Sequence, residues 1–231
     1  MSRQLFTVGP VYVAQETLQA MTKPMITHRC KEYKDLHGAI VEKIRKALRT
    51  DDDIFLVGGS ATVLIEGAVR NAVSSNCLGI SNGSFGNRLI ECATANGKNV
   101  AEIHVPWGKA MRPSDIEGKV TKDVEAVTWV SNESSTGVLS NSTALAEEVR
   151  KQNPDALIIV DAVTSAMAAD LDLPKLQPDA MIFGTQKALA LPPGLAIAVV
   201  SDRIIEKSKN VKNKGFYTDF VKLKKNADDN Y

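Results

Sequence analysis

Leu36, Ile40, Ile44 and Leu48 recur at every fourth position, Ala47 falls on the same stripe, and Glu42, Lys43, Arg45 and Lys46 cover the rest. This spacing predicts an amphipathic helix that buries the stripe. Asp51 to Asp53 break the pattern, and Ile54-Phe55-Leu56-Val57 follows as a short apolar run closed by Gly58-Gly59. Such a run reads as a strand ending in a tight turn. Over 62–73 the helical period returns, with Leu64, Ile65, Ala68, Val69 and Ala72 on a broad buried face. Further strands are expected over 77–81, 100–105, 124–130, 156–160, 180–183 and 195–200. Helices are expected over 88–95 and 141–151, the latter capped by Asn141 or Ser142. Leu157-Ile158-Ile159-Val160 spares no residue for a wet face, as in a strand covered on both sides. Strands alternating with helices predict an open α/β sheet with helices on both faces.

The first 35 residues carry turn signals at Gly9-Pro10 and Pro24 and read as an irregular arm, with the main domain over 36–231. The last 30 residues turn basic, with Arg203, Lys207, Lys209, Lys212, Lys214, Lys222, Lys224 and Lys225, which suits a solvated helix face. Residues 226–231 are polar and predict no closing helix or strand.

Composition narrows the function classes. Of 231 residues, 44% are hydrophobic and 24% charged, enough to build a folded core. Lys and Arg total 28 against 27 acids, so the net charge of +1 offers nothing to a nucleic acid partner. No apolar run approaches the roughly 18 residues of a membrane span, and the opening MSRQLFTVGP lacks a secretory pattern. A cytoplasmic protein with no membrane partner is expected. Cys30, Cys77 and Cys92 are far apart and without metal-ligand spacing, so reduced thiols are expected, with no disulfide scaffold and no metal site.

Three constellations fall at the ends of expected strands. Gly58-Gly59-Ser60-Ala61-Thr62 opens a helix and is either a phosphate cup or an ordinary glycine turn with a hydroxyl cap. It is neither a P-loop nor a dinucleotide fingerprint. Asp161 follows the apolar strand; it caps a helix over 162–169 or faces a cationic ligand group such as a protonated ring nitrogen. Lys187, in Gly184-Thr185-Gln186-Lys187, precedes apolar residues and Pro192-Pro193-Gly194. It is a snorkelling surface lysine or an amine of depressed pKa able to form a Schiff base. Together, an anion site, a carboxylate and an amine meet the needs of pyridoxal phosphate.

With those residues in hand the sequence resembles the class V aminotransferases, fold-type I pyridoxal-phosphate enzymes, and among them the alanine–glyoxylate, serine–pyruvate and serine–glyoxylate group. The likeness rests on Gly58 to Thr62 with Glu66, Asn82-Gly83-Ser84-Phe85-Gly86-Asn87-Arg88, and Asn132-Glu133-Ser134-Ser135-Thr136-Gly137-Val138-Leu139. Val160-Asp161-Ala162-Val163-Thr164-Ser165 and Gly184 to Leu189 complete it. The resemblance implies a three-layer α/β/α sandwich with a mostly parallel, mixed sheet, the large domain of such an enzyme. It implies that Lys187 carries the cofactor as a Schiff base and that Asp161 pairs with its ring nitrogen. Phe85 and Val163 would cover the two ring faces, Ser134 would meet the phenolic oxygen, and Ser60, Ala61, Thr62 and Gln186 would hold the phosphate.

The implied reaction moves an amino group from alanine or serine to a 2-oxo acid such as glyoxylate or pyruvate, in a homodimer with sites at the interface. The resemblance further implies a C-terminal small domain bearing an arginine that clamps the substrate carboxylate. By that measure 36–231 is a large domain incomplete at its C-terminal end, with the small domain absent. Arg3, Arg29, Arg88 and Arg112 do not match the clamp. Two alternatives share the motifs: a truncated non-catalytic chain acting only as a dimer partner, and another class V enzyme, a phosphonate transaminase or a lyase. Gln186 and Phe85 stand where cysteine desulfurases carry histidines, which favours transamination. His28, His37, His104 and Trp107 read as local structure.

Overall fold

The computed structural model describes residues 5–229; the Arg3 and Tyr231 of the sequence reading lie outside them. The chain runs α1 (Gln15–Ala20), α2 (Lys31–Leu48), β1 (Asp53–Gly58), α3 (Ala61–Ala72), β2 (Asn76–Ser81), α4 (Ser84–Ala95), β3 (Asn99–His104), α5 (Pro113–Ile116) and β4 (Ala126–Val130). A small hairpin of β5 (Asn132–Glu133) and β6 (Val138–Leu139) leads into α6 (Ser142–Gln152), β7 (Leu157–Asp161), α7 (Leu173–Leu176), β8 (Ala180–Gly184), β9 (Leu195–Val200), α8 (Asp202–Asn210) and α9 (Phe220–Asp228).

Seven strands form one sheet in the order β1-β9-β8-β7-β4-β2-β3. Strands β3, β2, β4, β7 and β8 are mutually parallel, while β9 runs antiparallel to both β8 and β1. The sheet is therefore mixed and mostly parallel. Two apolar layers sandwich it. One packs Val41, Ile44 and Leu48 of α2 with Leu145, Ala146 and Val149 of α6 against Trp129, Ile158 and Phe183. The other packs Leu64, Ala68 and Ala72 of α3, Leu89 of α4, Ile204 of α8 and Phe220 of α9 against Phe55, Ile159 and Ile182. Helices cover both faces, so β4, β7 and β8 are buried at every residue. No described helix is long and apolar enough to cross a membrane.

Several local expectations are corrected. Helix α2 starts at Lys31 and α1 precedes it, so the arm over 1–35 is not wholly irregular. The buried face of α2 is His37, Val41, Ile44 and Leu48, while Leu36, Ile40 and Ala47 are exposed. A strict four-residue repeat drifts about 40° per step around a helix, whereas spacings of 4, 3 and 4 track one face. Helix α4 begins at Ser84 rather than Arg88. Residues 162–169 form turns, not a helix. A closing helix does exist: α9 is capped by Asp219, and its Phe220 meets Phe55 edge-on at 5.4 Å between centroids. Trp107 is exposed.

Candidate active site

Every parallel strand ends on the same edge of the sheet, and open α/β sheets gather ligands there. Beyond β1 the chain turns at Gly59, whose φ of +145° suits glycine, and whose N–H donates to the Gly194 carbonyl at 2.8 Å. Ser60 then starts α3 without giving its side chain as a cap. The first N–H groups of a helix have no partner within it, so the start of α3, without a side-chain cap, is suited to an anion. Ser60, Ala61 and Thr62 line a cavity of about 190 Å³.

Asp161 is the last residue of β7 and is buried. Its Oδ1 accepts the Val163 N–H at 2.9 Å, so the cap-like reading is realised as a local turn. It has no ion pair among the described residues. Burial is the main force on its carboxyl and lifts it to about 6; Glu133 adds to the rise, while the Val163 N–H, Arg88 and Lys187 oppose it. A buried carboxylate so poorly compensated is suited to a cationic ligand group.

Lys187 sits in the β8–β9 loop, which is pinned by Thr185 Oγ1 donating to the Pro192 carbonyl at 2.8 Å. Burial pulls its amine below the usual lysine range, and Asp161 pulls it back up. The Nζ donates to the Val8 carbonyl at 2.8 Å, and the Val11 N–H donates to the Gln186 carbonyl at 3.1 Å, so the N-terminal arm closes one side of the lysine.

Phe85 enters from the first turn of α4. The buried Glu133 carboxylate caps that helix, taking the Phe85 and Gly86 N–H groups at 3.0 and 2.9 Å. Arg88, one turn on, stands 4.9 Å from the Phe85 ring centroid. Val163 and Ser134 come from the β7 and β5 sides. All nine residues singled out from the sequence, Ser60, Ala61, Thr62, Phe85, Ser134, Asp161, Val163, Gln186 and Lys187, line the one cavity.

Sequence reasoning missed Ile65, Arg88, Val130, Asn132 and Thr164, which complete the walls. Arg88, Asn132 and Thr164 stood inside the family motifs but carried no signal of a place in the cavity wall. None of the three cysteines reaches the cavity, and burial raises the Cys77 and Cys92 thiols to about 11. Cys30 instead caps α2, accepting the Tyr33 N–H.

The chain is similar in sequence and fold to known proteins. A family model described as aminotransferase class-V matches residues 14–230. An uncharacterized aminotransferase of Methanocaldococcus jannaschii is 36% identical over 226 residues, covering 96% of this chain and 58% of that protein. The structure of an aspartate aminotransferase of subgroup IV from Thermus thermophilus superposes with a TM-score of 0.90 at 30% identity, covering 99% of this chain and 64% of that one. An alanine–glyoxylate aminotransferase from Nostoc sp. gives 0.88 at 28% identity, covering 98% and 61%. The chain thus spans about three-fifths of the length of these relatives.

Proposed function

Because this chain belongs to the class V aminotransferase family, we propose that its cavity holds pyridoxal phosphate and serves amino-group transfer from a small amino acid to a 2-oxo acid. The observation that carries the reading is the convergence on one cavity of an uncapped helix start, a buried carboxyl lacking an ion partner among the described residues, and an amine of lowered pKa. Those three features match the phosphate, ring nitrogen and aldehyde of the cofactor. When bound, that group supplies an electron sink that loosens the α-proton of an amino acid.

The residues of the chain then divide the work. Ser60, Ala61, Thr62 and Gln186 would take the phosphate, with the dipole of α3 behind them. Asp161 would keep a proton on the ring nitrogen, and that cation would in turn draw its carboxyl down from about 6. Phe85 and Val163 would cover the ring faces and exclude water. Lys187 would hold the aldehyde carbon, and its Nζ would serve as the base for the α-proton of a bound amino acid. Its lowered pKa suits that duty, since only the neutral amine can accept a proton.

Alanine or serine as donor and glyoxylate or pyruvate as acceptor belong to this reading, and the name of the Nostoc relative supports the alanine and glyoxylate pairing. The Thermus relative is named for aspartate, so aspartate belongs in the donor panel. A homodimer with the site at its interface is part of the same reading. Its support is the N-terminal arm, whose Phe6 and Met25 are 93% and 98% exposed.

The test is the absorption spectrum of the purified chain with pyridoxal phosphate, against Lys187→Ala. A visible band that needs Lys187 and changes on adding alanine, serine or aspartate is the expected result. A folded chain without a lysine-dependent band would overturn it in favour of a non-catalytic dimer partner.

A further inference from the structure

Thr164 lies in the turn after Asp161, and its hydroxyl has three neighbours but one proton. Its Oγ1 is 2.9 Å from Asn132 Nδ2, which can only donate, and 3.1 Å from the Asn132 carbonyl, which can only accept. It is also 2.9 Å from Ser134 Oγ, which can do either. The amide fills one lone pair of the Thr164 oxygen. The single O–H must then choose between the carbonyl and Ser134.

The choice fixes what Ser134 shows to the cavity. With the Thr164 proton on the Asn132 carbonyl, Ser134 gives its own proton to Thr164 and offers the cavity only lone pairs. With the Thr164 proton on Ser134, the Ser134 proton is free to reach a ligand. A paired rotation of the Thr164 and Ser134 hydroxyls therefore switches Ser134 between acceptor and donor.

We propose that Thr164 is a positioning residue that sets the proton direction of Ser134, so that Ser134 donates to an anionic ring oxygen of the ligand and accepts from a neutral ring hydroxyl. The inference rests on reading the cavity as a pyridoxal-phosphate site. An anionic oxygen selects the donor setting, because a charge-assisted hydrogen bond outweighs the neutral one to the Asn132 carbonyl. The chain from Thr164 through Ser134 to the oxygen is then polarised along its length and binds more strongly than Ser134 alone.

The probe is pyridoxine 5′-phosphate, which has the ring hydroxyl and phosphate but no aldehyde, so its binding needs no bond to Lys187. Its dissociation constant and the ultraviolet titration of its ring hydroxyl are measured on the wild-type chain, Thr164→Val and Thr164→Ser, with thermal unfolding as a check on folding. Valine keeps the shape and removes the hydroxyl. It is expected to weaken binding roughly five- to tenfold at pH 7.5 and to move the hydroxyl titration about 0.5 to 1 pH unit higher. Serine is expected to restore both. Thr164→Val behaving like wild type in affinity and titration overturns the proposal, as does Thr164→Ser failing to rescue. A wild-type chain that binds no pyridoxine 5′-phosphate overturns the reading of the cavity itself, and this inference with it.

Discussion

Glu133 reaches across from the β5 strand to hold the backbone of Phe85. Its Oε2 takes the Phe85 N–H at 3.0 Å and the Gly86 N–H at 2.9 Å, while Oε1 takes the N–H and hydroxyl of Ser135 at 3.1 and 2.7 Å. Helix α4 has Gly83 at its N-cap and no side-chain cap of its own, so this distant carboxylate does the capping. Gly83 leaves the room: a Cβ there would sit 2.5 Å from Glu133 Cγ.

Replacing Glu133 with alanine leaves the buried Gly86 N–H and the part-buried Phe85 N–H without their acceptor. A loss of about 2 to 4 kcal/mol is expected, which lowers the melting temperature by roughly 5 to 15 °C. Glu133→Gln keeps one acceptor oxygen and should lose about half as much. Thermal unfolding of the three proteins checks the order. A Glu133→Ala protein that melts with the wild type would mean the cap contributes nothing.

Asp161 should cost the ligand-free protein stability at neutral pH. Burial raises its carboxyl from 3.8 to about 6, so between those values the native state holds a proton that the unfolded state has released. Stability therefore falls as pH rises through that window, and the cost stays in full above it. Asp161→Asn keeps an acceptor for the Val163 N–H and removes the charge. It is expected to be more stable by on the order of 2 to 3 kcal/mol at pH 7.5 and no different at pH 3.5, while binding pyridoxal phosphate more weakly. Urea unfolding at both pH values reads the difference; an equal gap at the two would refute the assignment.

Glu125 works in the opposite sense. Burial disfavours its charge, yet the Lys207 ammonium at 2.6 Å and the N–H groups of Ser75, Ser74 and Asn76 bring it down to about 2. The stability it contributes is present above its ordinary value near 4.5 and is lost as pH falls toward 2. After discounting for the solvent the pair still meets, Glu125→Gln should cost roughly 1 to 2 kcal/mol at pH 7. The difference from wild type should shrink steadily in acid unfolding titrations below pH 4.5.

The sheet and the cavity were legible in the sequence for different reasons. A short, β-branched apolar run such as Leu157 to Val160 suits a strand covered on both faces, and the structure puts it there. The cavity residues were legible because three kinds of chemistry stood at strand ends and the family motifs tied them together. What failed depended on partners remote in sequence. The start of α4 was hidden because its cap is supplied by Glu133, far along the chain. Helix α9 looked like a polar tail because its anchors are Phe220, buried against Phe55, and the Phe220 N–H held by Asn71. The face of α2 was misjudged because Leu36 and Ile40 extend the apolar pattern without facing the sheet. Thr164 was passed over because a threonine in a turn is ordinary until Asn132 and Ser134 are seen around it.

Gly9 is a position where a side chain would be strained and would crowd the site. Its φ is +127°, and a Cβ would lie 2.5 Å from Cδ and 2.7 Å from Nζ of Lys187. Glycine at residue 9 adopts this φ without strain and leaves the lysine end its room, so the turn lies beside the lysine and the Val8 carbonyl holds the amine at 2.8 Å. Gly9→Ala should push the arm off the lysine without disturbing the sheet, since Leu5, Phe6 and Val8 are exposed and add little to the core. In the cofactor-free protein, an amine-reactive reagent should then label Lys187 roughly three- to tenfold faster, the equivalent of one lost hydrogen bond. Peptide mapping by mass spectrometry gives the rate at that lysine, with Lys175 as an exposed internal reference. Equal rates in the two proteins, with the melting temperature unchanged, would show that the arm does not hold the amine.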